Sequence, residues 1–222
     1  MDSQVTLVDN DFELAVPDPA FGATTILDFD HDVMTSTNAT VRGQGRLRYS
    51  VRTVRASLAG TNLKTVFSQE ERILATVQHR DVIPDLMTLG GETTRLGSWF
   101  KMPMFSSFPA SFREGRETYC WKEGRGGGID LYKGSGASSS TSTIARFYPS
   151  NFVLTHDRRR IMCRAHLDLR AEADLIREKV FISCVLIVQK TRKDAQAKKW
   201  DLVPANSQFG LIAFCCSLMR PF

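Results

Sequence analysis

No stretch of this chain of 222 residues is long and apolar enough to cross a bilayer as a helix. A spanning helix takes roughly 20 apolar residues, whereas the apolar run from Val180 to Val188 has nine residues with Ser183 among them. The segment from Phe209 to Met219 is too short as well. The opening residues, Met1-Asp2-Ser3-Gln4-Val5-Thr6, lack a basic stretch followed by an apolar one, so no secretory leader is expected and the setting reads as intracellular and cytoplasmic. In that setting the five cysteines, Cys120, Cys163, Cys184, Cys215 and Cys216, are expected to stay reduced. Their spacing gives neither a C-x-x-C pair nor a zinc pattern.

Signatures of catalysis are missing too. A nucleophile elbow needs G-x-S-x-G, and Ser135 between two glycines does not supply it. His31, His79, His156 and His166 stand far apart, with no H-E-x-x-H spacing. His166 and Asp168 are near enough to meet at a strand end, where a structural pair is expected rather than an acid–base couple. The glycines between Gly124 and Gly128 read as a hairpin loop, because the order Gly-Lys-Ser/Thr that a phosphate loop requires is absent. Asp28, Asp30 and Asp32 around His31 lack the remaining ligands of a calcium loop. No catalytic residue, metal ligand or cofactor is therefore expected, and the protein is read as not an enzyme.

Positive charge is absent from residues 1–41, which hold eight of the 24 acids, while all 29 Lys and Arg lie beyond them. Residues 1–23 read as an acidic arm that packs little against the rest. The basic remainder favours anionic surfaces. Its densest cluster is Arg158-Arg159-Arg160, with His156 and Arg164 nearby. On a turn these bases can fan toward one anionic headgroup, each contributing ~1 kcal/mol beside an acidic leaflet. Arg158, Arg159 and Arg160 are accordingly the candidate anion- or lipid-binding residues. Tyr49, Tyr119, Trp121, Phe147 and Tyr148 lie beside bases, but alternation on strands reads them as core rather than stacking platforms, and nucleic acid is not an expected partner.

What the chain does have is a succession of short runs with period-two alternation, the mark of half-buried strands. They run from Thr25–Phe29 through Arg46–Arg52, Leu63–Phe67, Ile73–His79 and Glu117–Lys122 to Ile161–Ala165, and predict an antiparallel meander. After Asp168 the character changes. Ala171, Glu172, Ala173, Asp174 and Glu178 precede the apolar run, and Lys190, Arg192 and Lys193 follow it, a charge order that complements a helix dipole. The expected helix lies near residues 170–193. A helix apolar all round must be buried all round, so the predicted architecture is mainly β, an antiparallel closed β-barrel enclosing one hydrophobic C-terminal helix. Residues 24–194 form this domain and residues 195–222 a tail, in which Cys215 and Cys216 have the surroundings of lipidated cysteines.

The stretch Arg113-Glu114-Gly115-Arg116-Glu117-Thr118-Tyr119-Cys120-Trp121-Lys122, then Ile129-Asp130-Leu131-Tyr132, Ile144-Ala145-Arg146-Phe147 and Ala173-Asp174-Leu175-Ile176, resembles a fungal family of unknown function with a tubby C-terminal-like fold. Leu47–Thr53 and Trp99-Phe100 fit the same pattern. The resemblance implies a barrel threaded by a hydrophobic helix, as in tubby proteins, phospholipid scramblases and plant LURP-one-related proteins, and it transfers no binding residue. Taken together, the expectation is a non-enzymatic intracellular binding module for an anionic phospholipid surface or a protein partner, peripheral to a membrane. The alternatives are a scramblase-like lipid-translocating factor or an enzyme of unknown type, and a structural or protein-interaction module with no small ligand.

Overall fold

Alternating side chains put one face of each strand inward, and in the computed structural model those inward faces share a single core around the helix. The structure describes residues 12–13, 21–31, 33–45, 47–55, 62–80, 83–104, 106–134, 142–154 and 160–201. The strands are β1 (Phe12–Glu13), β2 (Thr25–Phe29), β3 (Ser36–Val41), β4 (Arg48–Arg55), β5 (Leu63–Gln69), β6 (Arg72–His79), β7 (Leu86–Leu89) and β8 (Glu92–Arg95). After the turn of helix α1 (Leu96–Trp99) come β9 (Phe100–Lys101), β10 (Ala110–Glu114), β11 (Glu117–Glu123), β12 (Ile129–Lys133), β13 (Thr143–Tyr148), β14 (Asn151–Leu154), β15 (Arg160–Cys163) and β16 (His166–Leu169). Two helices close the fold, α2 (Ala171–Asp174) and α3 (Arg177–Asp201).

Thirteen strands form one sheet in the order β8-β7-β6-β5-β4-β3-β2-β16-β13-β12-β11-β10-β9, every neighbouring pair antiparallel. A second sheet, β1-β15-β14, includes the parallel pair β1 and β15. The expected closed barrel is corrected in one respect: among the described residues no ladder joins β8 to β9, so the hydrogen-bonded sheet is open. The reason is local. β9 has only two residues, β8 is exposed at all four positions, and the chain passes between these two edge strands through α1.

The sheet nevertheless curls around α3. Residues Val180 to Val188 are buried on every face of the helix. Phe181 meets Phe29 of β2, Tyr49 of β4 and Phe67 of β5, with ring centroids 6.1, 5.0 and 6.5 Å away. On the opposite side the Trp121 indole N–H of β11 donates to Ser183 Oγ at 3.0 Å, and Ser183 Oγ donates on to the Val180 carbonyl. Ser183 thus explains itself: it accepts the one polar hydrogen that Trp121 brings into the core, which would otherwise be left unpaired. The helix differs from expectation in extent, since it starts at Arg177 after a separate turn and continues to Asp201.

Local chemistry fixes the register of the edge. Leu89 pairs with Glu92 across a two-residue turn, and both of its residues, Gly90 and Gly91, have positive φ (59° and 89°). That is the conformation glycine supplies at a tight hairpin. Residues 135–141, most of the acidic arm and residues 202–222, including Cys215 and Cys216, lie outside the described residues.

Candidate functional site

Arg158 and Arg159 lie outside the described residues, as do His156 and Asp32; Arg160 opens β15, and its side chain also lies outside them. The other carboxylates of the acidic cluster are occupied. Arg42 grips Asp28 with Nε and Nη2 at 2.8 and 2.5 Å, and Asp30 accepts from Asn38 Nδ2 at 3.1 Å. His166 and Asp168 do come together, with Nε2 and Oδ1 3.9 Å apart, but both are buried. Burial lowers the His166 pKa, partly offset by the hydrogen bond to the Arg164 carbonyl. Its ring stacks on Tyr148 at 4.5 Å. Neighbouring strands set Lys122, Asp130, Arg146 and Asp168 side by side in alternating sign, and Arg146 donates to Asp130 at 2.7 Å. These groups hold the sheet together.

The two ends of α3 are different. At its start, Arg177 pairs with Asp174 at 2.6 Å, Lys179 with Glu114 and Arg72 with Glu178, so the cleft of about 430 Å³ there is walled by balanced charges. At the far end the helix leaves the sheet. Gln189 Nε2 donates to the Met34 carbonyl at 2.7 Å, and Ser107 Oγ donates to Asp194 at 2.8 Å. A cavity of about 220 Å³ opens beside them, lined by His79, Asp85, Met102, Leu186, Lys190 and Lys193, among others.

A hydrogen-bonded series runs into the wall of that cavity. Thr53 and Thr65 share a hydroxyl contact of 2.9 Å, Thr65 Oγ1 lies 3.3 Å from His79 Nε2, and His79 Nδ1 lies 2.8 Å from Asp85 Oδ2. Burial alone would raise the Asp85 pKa, but the hydrogen bonds from His79 and the Arg80 N–H, with Lys193 nearby, leave it lowered. Hydroxyl, base and orienting acid are the parts of a nucleophilic relay. Here the Thr65 hydroxyl is wholly buried and already paired with Thr53, so no substrate carbonyl reaches it. The series satisfies polar groups where the core meets solvent. Composition did not reveal it. His79 and Asp85 are six residues apart around Pro84, and only the β6–β7 connection folds them together.

The same end carries exposed apolar side chains on loop tips. Met104 is 82% exposed, Val33 58% and Ile83 54%, and Val54, near the end of β4, is 51% exposed. Their positions follow from their neighbours. Val33 adjoins Met34, Ile83 lies between His79 and Asp85, and Met104 lies between Met102 and Ser107, all of them groups at the exit of α3. Arg80, Lys101, Lys190, Arg192 and Lys193 belong to this end as well.

Comparison with known protein families finds that residues 32–194 match the model of a family of unknown function (DUF6593). No curated protein and no solved structure matches the chain. Among the described residues no helix is long and apolar enough to cross a membrane.

Proposed function

Since the chain belongs to the DUF6593 family, whose function is unknown, its own surface has to supply a role, and we propose that it is a non-enzymatic module that docks its helix-exit end on an anionic lipid surface inside the cell. The observation that carries this is the coincidence of Met104, Val33, Ile83 and Val54 with five bases at one end. Fully burying a side chain of this size is worth about 1.5–3 kcal/mol, and a base near an acidic leaflet about 1 kcal/mol. Partial insertion of three loop tips and partial engagement of the bases therefore amount to several kcal/mol, the scale of reversible adhesion. The helix enclosed by a curled sheet also supports reading the fold as tubby-like, with the hydrogen-bonded sheet left open between β8 and β9.

Co-sedimentation with phosphatidylcholine vesicles, with and without phosphatidylserine and at low and high salt, tests the role. The protein should sediment only with the acidic vesicles and be released by salt, because a Debye length of about 10 Å at 0.1 M screens exposed charges. The triple change V33S/I83S/M104S should remove binding without changing the melting temperature. Failure of the unaltered protein to sediment with acidic vesicles at low salt would refute the proposal.

A further inference from the structure

The outward faces of β3 to β8 form a second charged surface. The register places Ser36, Asn38 and Thr40 of β3 beside Arg52, Ser50 and Arg48 of β4, with Val54 beyond; Lys64, Val66 and Ser68 of β5 follow. Ile73, Thr76 and Gln78 of β6, Leu86 and Thr88 of β7, and Thr93 and Arg95 of β8 complete it. Four bases, Arg48, Arg52, Lys64 and Arg95, share this face with no outward-facing acid on these strands. Among the described residues Asp28 and Asp30 at one flank are held by Arg42 and Asn38, and Glu70 and Glu71 lie in the β5–β6 turn. Between the bases lie hydroxyls already paired with one another, Ser50 with Ser68 at 2.6 Å and Thr88 with Thr93 at 2.8 Å. Among the described residues no ion pair joins these four bases to a carboxylate.

A complementary segment exists in the same chain. Residues 1–11 contain Asp2, Asp9 and Asp11 and no Lys or Arg. They precede β1, whose place is known: the order β1-β15-β14 repeats the order β2-β16-β13, with β14 following β13 and β15 leading into β16. β1 therefore flanks β15 on the side where β2, β3 and β4 continue the main sheet. Eleven extended residues reach about 36 Å, while β2 and β5 are three strand spacings apart, about 14 Å.

We propose that the face formed by Arg48, Arg52 and Lys64 is the docking surface for residues 1–11 of the same chain. Tethering replaces an encounter in solution by an effective concentration in the millimolar range, so three carboxylates against three bases suffice for a salt-sensitive contact. The docked segment shields the face from other anions, and a stronger polyanion displaces it. This face borders the helix-exit end at Val54, which pairs with Lys64, but its three bases are not among those invoked for membrane docking.

Lys64 makes the test specific, because it is the only lysine on the face. Treating the full-length protein with a water-soluble carbodiimide joins a carboxylate to an amine in direct contact as an amide, and the reagent takes up the lost water as its urea. Mass spectrometry should find Asp2, Asp9 or Asp11 joined to Lys64, and the product should vanish in D2N/D9N/D11N and fade with added salt. The Lys179–Glu114 and Lys190–Asp194 pairs report in the same digest that the reagent has acted. Their cross-links without one to Lys64, or links from residues 1–11 to other lysines only, would overturn the proposal. So would a Lys64 link found only between isotopically distinct chains, which would assign the face to a second copy. Lys64 that is unlinked and becomes protected only when acidic vesicles are added would assign it to the membrane instead, and would equally overturn it.

Discussion

Truncating Phe181 to alanine should lower stability more than any other single aromatic change. The side chain is fully buried and bridges three strands through Phe29, Tyr49 and Phe67. Phe→Ala in a core costs about 3–5 kcal/mol, and aromatic pairs contribute about 0.5–1.5 kcal/mol each beyond area burial. The expected loss therefore lies near the top of that range, about 4–5 kcal/mol, a large part of the roughly 5–15 kcal/mol that holds a domain folded. Urea denaturation followed by the fluorescence of buried Trp121 measures it. With a slope of about 2 kcal/mol per molar urea, the midpoint should fall by about 2 M. Leu175→Ala, at a position 88% exposed just before the helix, serves as the control and should leave the midpoint in place. A fall of less than about 0.5 M for Phe181→Ala at unchanged slope would refute the reasoning, because a helix that is not enclosed loses little when this ring is removed.

Other expectations are smaller and equally specific. Ser183→Ala strands the Trp121 indole N–H in the core and should cost about 1–3 kcal/mol by the same titration. Gly91→Ala forces a residue with a Cβ to φ 89° where nothing crowds it, so its cost of about 1–2 kcal/mol should be purely conformational. His166 is buried and its pKa is lowered. Its neutral form is therefore favoured on folding, a contribution present above the ordinary histidine value and lost as pH falls through the lowered one. Melting temperature should accordingly decline on acidification below about pH 6.5, and the decline should be shallower in His166→Gln.

Much of the fold was legible because strands whose one face is buried must alternate. Thr25–Phe29 and Ile73–His79 lie in strands as their pattern indicates, and the apolar run from Val180 is a buried helix. β8 and β16 were not legible, for opposite reasons. Glu92–Arg95 is exposed on both faces and has no apolar period, while His166–Leu169 is buried on both and alternates between Asp or His and Leu. The open seam follows from the shortness of β9, which a pattern of two residues cannot announce. Charge density drew attention to Arg158, Arg159 and Arg160, whereas the features at the helix exit come from loops far apart in sequence. Single residues such as Val33, Ile83 and Met104 carry no signal until the sheet gathers their loops at one end. His79 and Asp85 become partners in the same way, through the connection between two paired strands.

The central functional claim is that one end of the molecule, and not the other, meets the lipid. Hydrogen–deuterium exchange in the presence and absence of phosphatidylserine-containing vesicles tests it most directly. Protection should be gained around Val33, Ile83 and Met104 and along the exposed turns of α3 after Lys190, with the Gly90-Gly91 hairpin and α2 unchanged. Protection at Gly90-Gly91 and α2 instead, or none at the three loop tips under conditions where the protein sediments with the vesicles, would contradict the account.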